Sequence, residues 1–365
     1  MSKKEHKITI SGYYGFNNCG DEAVLLAVVH CLKKLEPGVE ITVFSNTPAA
    51  TRSMYGVKAA HRWNPFSMLY SIITCDLFIS GGGSLFQDVT SSRNLVYYLA
   101  VIKAALFFRK KVMIYSQGIG PLNNEKNRAK TLKVLNRCDA VTVRDSISAG
   151  FLKELNPELD VHIVSDPVMA FDRQDIDVEK ETGGLLRESG VPAGSGESRK
   201  PLLLVSMRLW KDDAFFAPVA KLLDSQIENG WAVLLVPAHY PADKGAVDKL
   251  MGLMDEKPYS IDKLLTARQF IALAACADKV FSMRLHGLIC AVAMGVPILA
   301  LSYDPKVDGF MEQAGLGRYC LSYDDFDFKT ANDLLAEPDA ETGDGEILRD
   351  AAWEAARIAV ELLQK

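Results

Sequence analysis

Between Phe281 and Cys290 the chain reads Phe-Ser-Met-Arg-Leu-His-Gly-Leu-Ile-Cys. Arg284, His286 and Gly287 thus fall where a short apolar, strand-like stretch gives way to an apolar, helix-like one. The crevice at the end of a parallel strand is where open α/β sheets bind ligands. Such a junction offers a fixed cation, a titratable imidazole and the N–H groups of a helix start. That set suits a small phosphorylated anion better than it suits a packed core.

Three more runs end in the same manner. Ser206-Met-Arg208 closes one apolar stretch, Pro237-Ala-His239 another, and Ser302-Tyr-Asp-Pro-Lys306 a third. Arg208, Arg284, Lys306, His239 and His286 would then line one edge of a sheet. Like charges repel unless an anion sits among them, so a phosphate or carboxylate site is expected here. A charge-assisted hydrogen bond from arginine contributes roughly 1.5–3 kcal/mol, enough for two arginines to hold a small ligand. No Walker-type Lys-Ser/Thr loop accompanies them, which disfavours a P-loop kinase.

The first half of the chain contributes glycine-rich strand ends. Ser11-Gly-Tyr-Tyr-Gly-Phe-Asn-Asn-Cys-Gly-Asp-Glu-Ala23 precedes a helix pattern. Gly15, Phe16, Asn17, Asn18, Gly20 and Asp21 would suit a hydroxyl-rich neutral ligand such as a sugar, because acids at a helix start oppose a phosphate. The bland alternative is a capped loop with Asp21 as the helix cap. Ser80-Gly-Gly-Gly-Ser84 exposes consecutive N–H groups around Gly82, Gly83 and Ser84, either an anion-binding nest or a tight turn. Gln117 and Gly118, in Ser116-Gln-Gly-Ile-Gly-Pro121, and Arg144, in Val143-Arg-Asp145, end further strands. Each of these is compatible with ligand contact or with a turn, cap or ion pair.

The elements that must position these residues alternate. Strands are expected at 7–11, 40–44, 76–80, 111–116, 140–143 and 162–164, with helices at 21–35, 94–109, 126–137 and 146–155. The alternation restarts after a polar, Gly- and Pro-containing stretch, with strands at 201–206, 231–237, 279–282 and 297–302. Helices follow at 214–229, 267–276, 288–294 and 350–364. This predicts an α/β protein of two Rossmann-like, doubly wound domains with an interdomain cleft. The expected boundaries are 1–172, a linker at 173–200, and 201–365, with the last helix free to pack back on the first domain.

Composition narrows the function further. A chain of 365 residues exceeds one ordinary core. The net charge of −5 disfavours nucleic-acid binding, which needs a basic stripe. Seven dispersed cysteines fit reduced thiols in a cytoplasmic protein rather than a disulfide framework or a zinc site. The start, Met-Ser-Lys-Lys-Glu-His-Lys, leads into a strand rather than an apolar signal segment. The run from Leu95 to Phe108, ending in Arg109-Lys110-Lys111, is apolar nearly all round but too short to span a bilayer. It is either a buried helix or one that rests on the inner membrane face, making the protein peripheral there.

Taken in order, Gly12–Ala23, Ser80–Ser84, Gln117–Pro121, Val143–Asp145, Ser165-Asp-Pro167 and Met283-Arg-Leu-His-Gly287 resemble the polysaccharide pyruvyl transferase family, most closely its CsaB-type bacterial cell-wall members. The resemblance runs from about Ile8 to Lys306. It implies a glycosyltransferase-B-like pair of domains and a reaction. Phosphoenolpyruvate would give its three-carbon unit to two hydroxyls of one sugar, forming a 4,6-linked pyruvate ketal and releasing phosphate. For CsaB-type members the acceptor is N-acetylmannosamine of a lipid-diphosphate-linked secondary cell-wall polymer precursor, whose ketal anchors S-layer proteins. The family's donor-binding Arg-Leu-His falls on Arg284, Leu285 and His286, and a further donor arginine on Arg208. Lys306 and His239 are weaker donor candidates, and Asp21 is the candidate base. No cofactor or metal is expected, since arginines already neutralise the phosphate. Arg284→Ala and His286→Ala are expected to abolish turnover without unfolding. The competing readings are a nucleotide-sugar glycosyltransferase and a non-catalytic glycan or anion sensor.

Overall fold

The computed structural model describes residues 5–88, 92–192, 200–211 and 213–365. The chain divides into two compact units: residues 1–16, 24–170 and 347–365 form the first, and residues 17–23 and 171–346 the second.

The first unit holds strands β1 (Lys7–Ser11), β2 (Glu40–Ser45), β3 (Lys58–His61), β4 (Leu77–Ser80), β5 (Gly83–Phe86), β6 (Lys111–Ile119), β7 (Ala140–Val143) and β8 (His162–Ile163). Its helices are α1 (Cys19–Leu35), α2 (Pro48–Tyr55), α3 (Pro65–Thr74), α4 (Ser92–Phe107), α5 (Glu125–Leu135) and α6 (Ser146–Leu155). The strands pair in the order β3-β2-β1-β4-β6-β7-β8, all parallel, with β5 also on β6. Central strands such as β4 are buried along their whole length, which is why they read as unbroken apolar runs. The order reverses between β1 and β4, where Ser11 stands opposite Ser80.

α4 settles the ambiguity of the 95–108 run in part. Leu95, Tyr98, Leu99, Ile102 and Ala105 lie in the core of this unit, whereas Val96 and Phe107 are exposed. No helix among the described residues is long and apolar enough to cross a membrane.

The second unit contains α7 (Val178–Glu188), β9 (Leu202–Ser206), α8 (Phe216–Glu228), β10 (Ala232–Leu235), α9 (Lys244–Leu253), β11 (Tyr259–Ser260), α10 (Ala267–Cys276), β12 (Lys279–Ser282), α11 (Leu285–Ala293), β13 (Ile298–Ser302), α12 (Pro305–Gln313), β14 (Cys320–Ser322) and α13 (Phe328–Ala336). Its parallel sheet runs β11-β10-β9-β12-β13-β14. The order reverses between β9 and β12, with Ser206 opposite Ser282.

Two boundaries differ from those expected. The stretch at 173–200 is not simply a linker: it carries α7, which buries Thr182 and Leu185 and packs on α10. Residues 193–199 of the expected linker lie outside the described residues. Residues 17–23, which include the start of α1, group with the second unit although they sit early in the chain. Backbone bonds explain this: Cys19 N–H donates to Ala238 O at 2.8 Å, and Tyr240 N–H to Asn17 O at 3.2 Å.

The last helix, α14 (Gly345–Gln364), joins the first unit from Ile347 onward. Trp353 Nε1 donates to Ala170 O at 3.1 Å, and Lys111 Nζ to Leu362 O at 2.7 Å. Its small residues Ala352, Ala355, Ala356 and Ala359 are fully buried. Removing residues 347–365 should therefore uncover part of this core and lower the melting temperature by on the order of 10 °C in a thermal scan.

Candidate functional site

The anion-site residues come from adjacent strands. Arg208 stands two residues beyond Ser206 and Arg284 two residues beyond Ser282, and those serines face each other in register. Their backbones thus leave the sheet about 5 Å apart, the ordinary strand spacing. Ser206 Oγ donates to Val236 O at 2.9 Å, and Ser282 Oγ accepts from Arg284 N–H at 2.9 Å. These hydroxyls tie the strand ends together just below the arginines.

Arg284 is clamped. Its Nε donates to Asp243 Oδ2 at 2.9 Å, and its Nη2 pairs with Asp243 Oδ1. Asp243 is only 1% exposed and also accepts the His239 N–H at 2.9 Å. A planar fork held by two hydrogen bonds cannot swing, so its remaining N–H groups are aimed by the carboxylate behind them. Arg284 is also the N-cap residue of α11, where no side chain caps the helix and no acid occupies the first turn. Leu285 is buried as the first residue of that helix.

Arg208 is held differently. Its Nη1 donates to Tyr303 Oη at 3.0 Å, and its guanidinium lies 4.9 Å from the Trp210 ring and 5.1 Å from the Tyr303 ring. Its buried Nε has no hydrogen-bond partner, and among the described residues no carboxylate pairs with it. Aromatic faces orient a guanidinium without cancelling its charge. Lys306 pairs instead with Asp304 at 3.2 Å, its ammonium 5.6 Å from the centre of the Tyr303 ring.

The 17–23 turn lies against these groups within the same unit. Asn18 bridges to His239, and a Cβ placed on Gly20 would lie 2.3 Å from His286 Nδ1 and 2.6 Å from its Cγ. Glycine at position 20 is therefore what admits the imidazole. Gly287 serves α11 likewise, since a Cβ there would meet Ser282 Oγ at 2.6 Å. Asn17 adopts a left-handed φ of 60°. The helix cap is Asn18, not Asp21: Asn18 Oδ1 accepts the Gly20 N–H at 3.1 Å, and its amide donates to Asp21 Oδ2 at 2.5 Å. Cys19 is buried here, and burial together with Glu22 and Asp243 pushes its thiol up to about 12.

The first-unit candidates do not assemble into an open site. β6 runs on to Ile119, so Gln117 is a strand residue rather than a loop residue. It is fully buried, and its Oε1 accepts the Leu85 N–H at 3.2 Å. Arg144 is buried against Asp166 at 3.2 Å and Ser84 Oγ at 3.0 Å. Gly118 is small because a Cβ would meet that guanidinium at 2.9 Å. Gly83 opens β5, while Gly81 N–H donates to Ser11 O. A Cβ on Gly82 would strike Val24 at 2.9 Å, so close packing requires a glycine there. Gly15, with φ of 81°, makes room for Ser45 and Thr47, and Phe16 stacks on Tyr13 at 4.2 Å.

Asp243, Tyr303 and Trp210 were not singled out by the sequence. Asp243 stands before a helix and reads as an ordinary N-cap, yet it makes no cap bond. Its spacing four residues after His239 was the available signal. Among the described residues no group of three or more His, Cys, Asp or Glu side chains is arranged to hold a metal.

A family model described as polysaccharide pyruvyl transferase matches residues 18–305. Among solved structures the chain is similar to the UDP-GlcNAc 2-epimerase of Methanocaldococcus jannaschii, with a TM-score of 0.67 and 13% identity over 98% of this chain and 100% of that one. The Neisseria meningitidis UDP-GlcNAc 2-epimerase, bound to UDP-GlcNAc, gives 0.60 and 13% over 99% and 100%. Anabaena HepE, in complex with UDP-glucose, gives 0.60 and 14% over 98% of each chain. At such identities these likenesses establish the fold: two parallel α/β sheets of the glycosyltransferase-B-like kind.

The Asp243 clamp changes what an alanine at position 284 would report. Arg284→Ala strands a buried carboxylate and should cost about 3–5 kcal/mol of stability in a denaturant titration, so it does not spare the fold as expected above. Arg208→Ala, with no buried anion left behind, should melt within a few degrees of the parent. Cys19 should resist iodoacetamide at pH 8 in the folded protein and react once urea exposes it, as mass spectrometry of the labelled peptides would show.

Proposed function

The chain belongs to the polysaccharide pyruvyl transferase family, and on that premise we propose that the second-unit site binds phosphoenolpyruvate and transfers its three-carbon unit to a sugar. The observation that carries this reading is Arg208, a guanidinium oriented by two aromatic rings with no carboxylate among the described residues to neutralise it, leaving the sheet beside the clamped Arg284. Phosphate and carboxylate on one small donor match two arginines on adjacent strands. The N–H groups at the uncapped start of α11 add to that field.

In the proposed reaction His286 delivers a proton to the methylene carbon of phosphoenolpyruvate. A sugar hydroxyl adds to the central carbon, its proton passing to the base. The bond between that carbon and the phosphate oxygen then breaks, and phosphate leaves with the proton held by the base. A second hydroxyl of the same sugar closes the ketal, its proton returning to His286. Asp21, oriented by the Asn18 amide, is the base we propose, with Asn17, Asn18 and Gly20 framing the sugar. His239 and Lys306 belong to the surroundings: the first is tied through its backbone to Asp243, the second to Asp304.

We propose N-acetylmannosamine of a lipid-diphosphate-linked cell-wall polymer precursor as the acceptor, with a 4,6-ketal as the product that anchors S-layer proteins, at the cytoplasmic face of the membrane. The support is the run of loop sequences from Gly12 to Gly287 set out above.

Phosphate release from phosphoenolpyruvate, measured with and without a lipid-linked N-acetylmannosamine acceptor, tests the reading. Release should require the acceptor. Arg208→Ala should raise the donor KM about tenfold to a hundredfold. His286→Asn should lower kcat by roughly 10²–10⁴ with little change in KM, and Gly20→Ala should resemble it by displacing the imidazole. A rise in KM alone at position 286 would make the histidine a phosphate ligand instead. Turnover of a UDP-sugar without phosphate release from phosphoenolpyruvate would sink the assignment.

A further inference from the structure

α3 carries an apolar face that its own unit does not cover. The helix buries Ser71 and Ile72. Its opposite side presents Phe66, Leu69, Tyr70 and Ile73, spaced i, i+3, i+4, i+7, with Trp63 one turn ahead. These five side chains are between 41% and 85% exposed. That spacing normally marks the stripe a helix turns toward a core. Single exposed apolar residues are ordinary, but a contiguous stripe marks a contact surface.

The stripe continues onto α4. The Trp63 ring lies 5.0 Å from the Tyr97 ring, and Val96 beside it is exposed. Neither α3 nor α4 contains an acidic residue, whereas Arg93 and Lys103 of α4 and Arg109 just beyond it are exposed cations. The carboxylate in the groove beside Tyr70, Glu40, is paired with Lys58 and lies 4.0 Å from Lys7. The charges carried by α3 and α4 are thus all cationic, on a chain whose net charge is −5.

We propose that this face docks on an anionic lipid bilayer. Phe66, Leu69, Tyr70 and Ile73 enter the boundary between headgroups and acyl chains, Trp63 sits at headgroup level, and Arg93, Lys103 and Arg109 meet lipid phosphates. Aromatic and aliphatic side chains beside exposed cations, on two helices that carry no acid, match an anionic membrane surface in charge and in polarity. The inference stands on the surface and not on the identity of the donor or sugar.

The test uses the full chain and vesicles of phosphatidylcholine alone or with about one-third phosphatidylglycerol. Anionic vesicles should sediment the protein at low salt and shift the emission of Trp63 to the blue. Phe66→Ser, Tyr70→Ser and Ile73→Ser combined should weaken partitioning at least about tenfold without lowering the melting temperature, since these groups are exposed. Arg93→Glu with Lys103→Glu should weaken binding to the anionic vesicles and leave the neutral ones unchanged. The proposal fails if the parent ignores anionic vesicles or if the triple variant sediments as the parent does. It also fails if light scattering finds a dimer that the triple variant dissolves, because a second copy would then cover the face. Phosphate release with a soluble acceptor sugar should be the same in parent and triple variant, so failure of the reaction and failure of docking read out separately.

Discussion

The organisation of the second unit's site depends on one buried carboxylate. Asp243 lies between the end of β10 and the start of α9, where solvent cannot stabilise its charge. An ionised carboxylate in such a place requires hydrogen-bonded, cationic company. It takes the Nε–H and Nη2–H edge of Arg284 and the backbone N–H of His239. Satisfying Asp243 therefore fixes two things together: the loop after β10, and Arg284, whose guanidinium follows β12 and which stands directly ahead of α11. His286, two residues further on, inherits its placement from that anchor and from the absence of a side chain at Gly20.

The cations around this anchor are compensated to different degrees, and that difference gives the site its sign. Lys306 is answered by Asp304 and Arg284 by Asp243. Arg208 is answered by a phenol oxygen and two ring faces, which orient positive charge but leave it in place. Among the described residues an incoming anion thus meets one guanidinium without a carboxylate partner and the unused edge of a second. A symmetric arrangement, with a carboxylate behind each arginine, would have bound anions more weakly; one with none would have splayed the two side chains apart.

Much of this was legible in the chain. Central parallel strands are buried on both faces and read as short apolar runs, so β1, β4, β7, β9 and β12 fall where the pattern puts them. Arg284, Leu285 and His286 were legible because a strand hands over directly to a helix there. Edge strands β3, β11 and β14 were not, being two to four residues long and without enough apolar alternation. α3 escaped because its apolar residues occupy the outer face as well as the inner one, which erases the helical period. Gln117 was misread for a reason of length: β6 continues three residues past Ser116, so a residue expected beyond the strand lies inside it. Asp243 was missed because an aspartate ahead of a helix has a sufficient explanation already.

The glycines show how far such reading extends. A glycine at a strand end announces that something comes close to the backbone, without saying what. At Gly81 it is the hydroxyl of buried Tyr14, at Gly118 the Arg144 guanidinium, and at Gly82 the side chains of Val24 and Pro167. These neighbours are locked in the fold, and the space they fill is closed to a ligand. At Gly20 the neighbour is the half-buried imidazole of His286. The same substitution to alanine therefore has two meanings. In the first unit it strains a core; at position 20 it displaces the group to which we assign the proton. The chemistry resides in the side chain that the glycine admits, and only the folded chain identifies that side chain.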